Sequence, residues 1–154
     1  MTSPIRSFTF DTEAQTEAFA RSLSHLSRPG DVFLLEGDIG AGKTSLARAF
    51  IRAKCGSETE VPSPTFTLIQ TYEYDEGEIW HCDLYRLSSP DEAIELGLDA
   101  AFETAITLVE WPDRLAELAP SSALTISLQI AGDGRTACVY GEGDWAERLA
   151  VIDG

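Results

Sequence analysis

The chain has 154 residues, 44% of them hydrophobic, which suits one ordinary domain with an apolar core. Twenty-six acidic residues against eleven basic ones give a formal net charge of −15, which repels phosphate backbones and argues against strong direct nucleic-acid binding. The three cysteines are far apart and in no metal-ligand spacing, which argues against a disulfide framework or a zinc site.

The expected location follows from the lack of export and membrane signals. The first residues have no basic region followed by an apolar run, and no stretch approaches the roughly 18 apolar residues of a membrane span. We therefore expect a cytoplasmic protein that does not contact a membrane. Its domain organisation is expected to be one domain over residues 1–154.

The N-terminal segment predicts a strand followed by a helix. Residues 7–10 alternate in polarity like a short strand. Thr12 then offers an N-cap, and Gln15 follows three residues later, as in a capping box. We expect the helix to end near Leu26, before a proline and a glycine.

A glycine-rich segment comes directly after an apolar strand predicted over residues 32–35. It is Gly37-Asp38-Ile39-Gly40-Ala41-Gly42-Lys43-Thr44, which meets the pattern G-x-x-x-x-G-K-[ST] in full. Residues 43–54 have helical periodicity, and Gly56 ends that helix. Strand, glycine loop and helix therefore occur in the order that a phosphate-binding loop requires.

The physical chemistry of this loop indicates a magnesium nucleotide. Glycines let the backbone curl so that successive N–H groups point inward at phosphate oxygens. The helix that begins near Gly42 adds the positive end of its dipole. Lys43 would reach the β- and γ-phosphates, and the Thr44 hydroxyl would ligate Mg²⁺.

The rest of the chain predicts further strands and helices. Residues 56–64 indicate a surface loop, and a helix should begin after Ser89, with Pro90 in its first turn and Glu92 as a capping-box residue, and run to about Leu96. The expected strands cover residues 66–74, 78–85, 106–109, 123–130 and 136–140; the first two and the last two form hairpins, and a last helix covers residues 145–149. This order predicts an α/β P-loop fold, with a mostly parallel or mixed central sheet between helices and a C-terminal hairpin.

Two carboxylates could serve the metal. Glu110 follows an apolar strand, and Asp83 lies on a strand where period two also places His81 and Tyr85 on its face. Magnesium prefers such hard oxygen ligands and keeps several waters. His81 and Asp83 alone would make a poor transition-metal site, because no third ligand is evident.

Two more features could contact a nucleotide. Residues 63–67 carry hydroxyls that resemble a switch segment ordered by a γ-phosphate, although their composition alone favours a proline-containing turn. Trp111 could stack on a base, but we expect it to fill core space.

Several strings together resemble one family, the TsaE (YjeE) ATPases that assist threonylcarbamoylation of tRNA adenosine. They are the glycine loop 37–44, Ser-Pro-Thr-Phe-Thr-Leu at 63–68, His-Cys-Asp-Leu-Tyr-Arg-Leu at 81–87, Val-Glu-Trp-Pro at 109–112 and Gly-Arg at 134–135. The resemblance covers roughly residues 8–141. Cys82 departs from it, because relatives often have an aromatic residue there.

The resemblance implies a slow ATPase that works beside the TsaD and TsaB proteins, which carry out the transfer to tRNA. It implies that Asp83 is the essential acidic residue, expected to orient the attacking water, and that Thr65 is a switch threonine. Thr44 would hold Mg²⁺ with Glu110 or Asp83, and the inner-sphere carboxylate is left open. The implied ATP-binding residues are Gly37, Asp38, Gly40, Ala41, Gly42, Lys43, Thr44 and Ser45 at the phosphates, with Thr12, Glu13 and Arg135 near adenine and ribose and Trp111 nearby.

Other functions fit parts of the same pattern. A small-molecule kinase also pairs a P-loop with strand-end carboxylates, but such enzymes usually have a cluster of arginines, and the arginines after residue 56 are singly spaced. A GTPase would need an Asn/Thr-Lys-x-Asp string, which Lys54 does not supply. A nucleotide-gated binding module without meaningful catalysis would use the same binding residues and stays open.

Overall fold

A computed structural model describes residues 3–38, 40–64 and 67–152. Its strands are β1 (Arg6–Phe10), β2 (Val32–Glu36), β3 (Ile69–Tyr74), β4 (Gly77–Asp83), β5 (Ile106–Glu110), β6 (Leu124–Ala131) and β7 (Gly134–Tyr140). Its helices are α1 (Glu13–Leu26), α2 (Lys43–Cys55), α3 (Pro90–Glu95), α4 (Leu98–Thr104) and α5 (Trp145–Leu149), with a 3-10 helix over Pro112–Leu118.

The strands form one seven-stranded sheet in the order β1-β7-β6-β2-β5-β4-β3. Its centre is parallel, because β2 pairs in parallel with both β5 and β6, and β4 pairs in parallel with β5. The strands toward both edges of the sheet pair antiparallel: β1 with β7, β6 with β7, and β3 with β4. The predicted mixed sheet and its C-terminal hairpin are confirmed.

Two apolar cores cover the two faces of the sheet, as a parallel centre requires. The larger core lies under α1, α2 and α5, where Phe33 of β2 packs edge-on against Phe50 and Trp145, with ring centroids 5.2 and 5.5 Å apart. The smaller core lies under α3, α4 and the 3-10 helix, and it includes Leu34 and Leu115. The strand that leads into the glycine loop is therefore buried on both faces.

The predicted start of α1 is confirmed at atomic detail. The Thr12 Oγ1 atom accepts a hydrogen bond from the Gln15 backbone N–H at 3.3 Å, and the Gln15 Oε1 atom accepts from the Thr12 N–H at 3.2 Å. This reciprocal pair is the capping box. It fixes the direction in which the chain leaves β1.

Some expected details were wrong. Strand β4 ends at Asp83, two residues early, because Leu84 turns into the smaller core while Tyr85 is 48% exposed. Ser89 makes no side-chain cap; instead Glu92 Oε1 accepts from the Ser88 N–H at 2.9 Å. Strand β3 begins at Ile69 rather than at Phe66, which lies outside the described residues.

Two helical segments were not expected. Helix α4 follows Gly97, whose φ of 86° lets the chain turn between α3 and α4, and the 3-10 helix directly follows Trp111. Both are short and carry weak periodicity, so the sequence pattern did not separate them from loops. Within the described part of the chain, no helix is long and apolar enough to cross a membrane.

Candidate nucleotide site

Three parallel strands bring the predicted site residues to one edge of the sheet. Strands β2, β5 and β4 are neighbours and end at the glycine loop, at Glu110 and at Asp83 respectively. Asp83 and Glu110 are register partners, so their side chains leave the same face. Ligands of open α/β sheets bind outside such carboxyl ends.

Two glycines shape the loop. Gly42 is the N-cap of α2 with a φ of 103°, a left-handed conformation that strains other residues. At Gly37 a Cβ atom would lie 2.5 Å from the Leu128 carbonyl oxygen and 3.2 Å from the Ala41 Cβ. The loop is thus pressed against β6, and a side chain at position 37 would push it away.

Lys43 lies under the loop, only 5% exposed. Its Nζ donates a hydrogen bond to the Gly37 carbonyl oxygen at 2.5 Å and lies 3.6 Å from the centre of the Trp111 ring, a cation–π contact. Burial lowers the pKa of the Lys43 ammonium, and the Glu110, Asp83 and Asp38 carboxylates oppose that shift. Among the described residues, the hydrogen-bond partner of this amine is thus a neutral carbonyl oxygen rather than a carboxylate.

Thr44 and Glu110 meet at the base of the site. The Thr44 hydroxyl donates to Glu110 Oε1 at 2.9 Å, and the Glu110 side chain is almost completely buried. The other oxygen, Oε2, lies 2.7 Å from His81 Nε2. Both oxygens of this carboxylate are thus held by named donors.

Asp83 is the second carboxylate of the site and is 6% exposed. Its Oδ1 accepts a hydrogen bond from the Tyr85 backbone N–H at 3.0 Å. This bond directs the carboxylate toward the loop that follows β4. Asp83 is therefore fixed by local backbone geometry, whereas Glu110 is fixed by side chains from two other elements.

These residues surround one cavity, which we call the phosphate cleft. Its volume is about 470 Å³. The residues that line it are Gly40, Gly42, Lys43, Thr44, Ser45, Ser63, Asp83, Tyr85, Glu110 and Trp111. Among the described residues, every predicted phosphate or metal ligand with a polar side chain, apart from Asp38, lines this cleft.

Trp111 lines this cleft, so the expectation that it fills core space was wrong. It follows β5 in a left-handed conformation with a φ of 58°, and its ring lies between Lys43 and Tyr85. The Tyr85 and Trp111 ring centroids are 5.0 Å apart. Trp111 therefore lies at the end of the cleft that holds Lys43.

A second cavity lies on the other side of the loop, with a volume of about 320 Å³. It shares Gly40, Gly42 and Ser45 with the phosphate cleft and adds Thr12, Glu13 and Arg135, the residues predicted near adenine and ribose. Arg135 donates through its Nη2 to the Gly40 carbonyl oxygen at 3.1 Å. The hairpin β6–β7 is thereby tied to the glycine loop.

The remaining predicted positions lie outside the described residues or away from the phosphate cleft. Thr65 and Ile39 lie outside the described residues. Asp38 and Ala41 lie beside Leu128 and Gln129 in a third depression, away from the phosphate cleft. Within the described ranges, no group of three or more His, Cys, Asp or Glu side chains is arranged to hold a metal ion by itself.

Two residues of the site have contacts that the sequence pattern does not predict. Tyr85 lines the cleft, and His81, which the sequence suggests only as half of a poor transition-metal pair, contacts Glu110. The alternation along β4 carried the signal, because it placed both on the face of Asp83. The missing information was that the strand carrying Glu110 would be the neighbour of β4.

Comparison with known proteins identifies relatives across most of the chain. Residues 10–137 match the family model "Threonylcarbamoyl adenosine biosynthesis protein TsaE". The tRNA threonylcarbamoyladenosine biosynthesis protein TsaE of Rickettsia bellii is 40% identical over 83% of this chain and 89% of its own length. The protein of that name from Bacillus subtilis is 40% identical over 77% of this chain and 74% of its own length.

A solved structure agrees with the sequence relatives. The crystal structure of YdiB from Bacillus subtilis superimposes with a TM-score of 0.77 at 32% sequence identity. The match covers 94% of this chain and 90% of that one. The likeness thus extends over nearly the whole length of both chains.

Proposed function

Because the chain belongs to the TsaE family of tRNA threonylcarbamoyladenosine biosynthesis proteins, we propose that it is a Mg²⁺-dependent ATPase of this pathway. In this proposal it acts in the cytoplasm beside the TsaD and TsaB proteins. The observation that supports the ATPase most is the convergence of Lys43, Thr44, Asp83 and Glu110 in one cleft. Lys43 and Thr44 begin the helix that follows β2, whereas Asp83 and Glu110 end β4 and β5. Packing of the core alone does not require these polar groups to lie together.

The triphosphate would bind along the glycine loop. The loop amides and the N-terminus of α2 supply donors for its oxygens. Lys43 would exchange its bond to the Gly37 carbonyl for the β- and γ-phosphates, while Trp111 keeps the amine in place from the other side. Because the Glu110, Asp83 and Asp38 carboxylates near Lys43 already outweigh the charge of this ammonium, bound phosphates would need a cation beside them.

The residues present fit magnesium rather than a softer metal. Thr44, Glu110 and Asp83 offer only hard oxygen atoms. They are too few for an all-protein cage, which suits an ion that keeps waters and shares phosphate oxygens. When bound, magnesium would neutralise charge on the β- and γ-phosphates. Glu110 is the better partner for it, because it already contacts the Thr44 hydroxyl.

Asp83 would then act on the water that attacks the γ-phosphorus. Its carboxylate would accept a hydrogen bond from that water and orient it, as the bond between the γ-phosphorus and the β-bridging oxygen breaks. The products are ADP and inorganic phosphate. Thr65, as a switch threonine, stays part of the proposal.

The nucleoside would occupy the second cavity. Thr12 and Glu13 stand at the start of α1, and Arg135 faces them across the cavity. The Thr12 oxygen already accepts a hydrogen bond within the capping box, so its hydroxyl hydrogen is the part available to a ribose or a base. This assignment places the phosphates and the base on opposite sides of Gly40 and Gly42.

The strongest rival enzyme class is a small-molecule kinase. Such enzymes usually use arginines to screen the transferred phosphate. Within the described residues, the lining of the phosphate cleft has Lys43 as its basic side chain and includes no arginine. The cleft is therefore better suited to hydrolysis than to transfer.

Complex formation with TsaD and TsaB tests the proposed role. Size-exclusion chromatography of the three proteins of one organism would be run with Mg·ATP, Mg·ADP or no nucleotide. We expect a ternary complex that ATP favours and that K43A does not form. If wild type binds Mg·ATP but forms no complex under any condition, the ATP site stands and the role beside these partners is wrong. A binding module without catalysis would form the complex and leave ATP intact.

A further inference from the structure

His81 is a fully buried polar residue with a single hydrogen bond in the part of the chain that the structure describes. Its exposed fraction is 0%, and its Nε2 lies 2.7 Å from Glu110 Oε2. The other ring nitrogen, Nδ1, is buried without a hydrogen-bond partner among the described residues. A histidine in an apolar core is costly unless its polar atoms are used. The polar function of this side chain is thus directed at Glu110.

The direction of that hydrogen bond follows from its acceptor. A carboxylate oxygen only accepts, so His81 Nε2 carries the hydrogen. The Thr44 hydroxyl donates to the opposite oxygen of the same carboxylate at 2.9 Å. With its hydrogen directed to Glu110, the Thr44 oxygen keeps its lone pairs for the cleft that it lines. The contacts therefore run from His81 to Glu110 and from Glu110 to Thr44, and the last two residues both line the cleft.

Strand geometry explains why His81 can reach Glu110. His81 is the register partner of Leu108, two residues before Glu110 on the neighbouring parallel strand. Glu110 therefore has Asp83 directly beside it and His81 on the diagonal, all on one face of the sheet. Asp83 lines the phosphate cleft, whereas His81 lies two residues earlier on β4 and is buried in the core.

We propose that His81 is a positioning residue for the magnesium site, which it serves by fixing the orientation of Glu110. The proposal rests on the proposed function, since it assumes that Thr44 and Glu110 hold the metal with a nucleotide. Without the Nε2 donor, Glu110 can rotate, and the Thr44 hydroxyl loses its fixed acceptor. Residues that orient metal ligands in this way typically change metal affinity about 10–100-fold when they are replaced.

Three substitutions separate positioning from packing. H81Q places an amide nitrogen near the position of Nε2 and keeps the donor. H81N places its amide nitrogen near the unbonded Nδ1 and cannot reach Glu110, so it is the matched control. H81L removes all polarity while it keeps the bulk, and it is the second variant should H81N fail to fold.

The measurement is nucleotide binding as a function of Mg²⁺, with a fluorescent ATP analogue and the full-length protein, and with EDTA as the metal-free reference. We expect the half-saturating Mg²⁺ concentration to rise about 10-fold or more in H81N and H81L and to stay within about threefold of wild type in H81Q. Metal-free affinity should stay within about twofold in all three variants, which also shows that the site is folded. In an E110Q background, H81L should cause no further change.

Two results would overturn the proposal. Either H81N and H81L keep the wild-type Mg²⁺ dependence, or H81Q is as defective as H81N. Both leave the proposed ATPase intact, because the wild type still shows a metal-dependent affinity. If instead the wild type binds the analogue equally well with Mg²⁺ and with EDTA, the proposed magnesium site fails together with this inference.

Discussion

The phosphate cleft and the second cavity share Gly40, Gly42 and Ser45, yet the rest of their walls differ in burial and origin. The cleft is built from the ends of central parallel strands, and its polar groups are interlocked, as with Glu110 between Thr44 and His81. The second cavity is built from the antiparallel side of the sheet, and Thr12 and Glu13 are exposed. The proposed phosphate and metal ligands thus lie where the core holds their side chains in place. The proposed base contacts lie at the exposed surface, where side chains can vary.

The cleft should therefore respond much more strongly to substitution than the second cavity. K43A is expected to cause the largest loss, because a charge-assisted bond to phosphate is worth about 1.5–3 kcal/mol and Lys43 would make more than one. We expect Mg·ATP affinity to fall at least about 100-fold in an equilibrium binding assay. K54A is the matched control, since Lys54 is the other lysine and lies beside Tyr74, away from both cavities. Equal Mg·ATP affinities for K43A and the wild type would show that Lys43 does not bind the phosphates.

Within the cleft, Asp83 should affect turnover more than binding. D83N keeps the shape of the side chain but replaces one carboxylate oxygen by an NH2 group, which donates and cannot accept the hydrogen bond of the attacking water. Such a loss typically costs about 100-fold or more in rate. We expect ATP affinity to stay within about threefold of wild type. The assay is single-turnover hydrolysis of ATP, with D99N on the exposed start of α4 as the control. Unchanged turnover in D83N would show that Asp83 does not orient the water.

The second cavity should give a smaller effect. R135A removes the bond to the Gly40 carbonyl together with the proposed nucleoside contact, and one such interaction is worth about 1 kcal/mol. We expect a loss of about 3–10-fold in affinity for ATP. Binding of inorganic tripolyphosphate, which has no base or ribose, should change less. R21A on the exposed surface of α1 is the control. If both ligands weaken equally, Arg135 acts on the loop and not on the nucleoside.

The smallest expected effect is the uptake of protons when the nucleotide binds. Burial lowers the pKa of Lys43, and bound phosphates would raise it again. Nucleotide binding at about pH 9.5, just below the ordinary lysine pKa, should therefore take up a fraction of a proton, and this uptake should shrink as the pH is lowered. Calorimetry in two buffers with different ionisation enthalpies measures this difference. Proton release at the higher pH would contradict the expected sign.

The sequence predicted the cleft better than the second cavity for a physical reason. The loop motif, Asp83 and Glu110 each follow an apolar strand, and a parallel sheet brings strand ends to one edge. The local sequence pattern does not specify the order of the strands in the sheet, so the contact between His81 and Glu110 could not be predicted. Trp111 was misjudged because an aromatic residue after a buried strand usually fills the core, and its left-handed backbone is invisible in the sequence.

The placement of β2 between β5 and β6 has a consequence for synthesis and folding. The strand that leads into the glycine loop is apolar over its first four residues, and its second neighbour, β6, is made much later in the chain. Until residues 124–131 leave the ribosome, one edge of this strand has no partner and can pair with other chains. Such distant pairing is also slow to form.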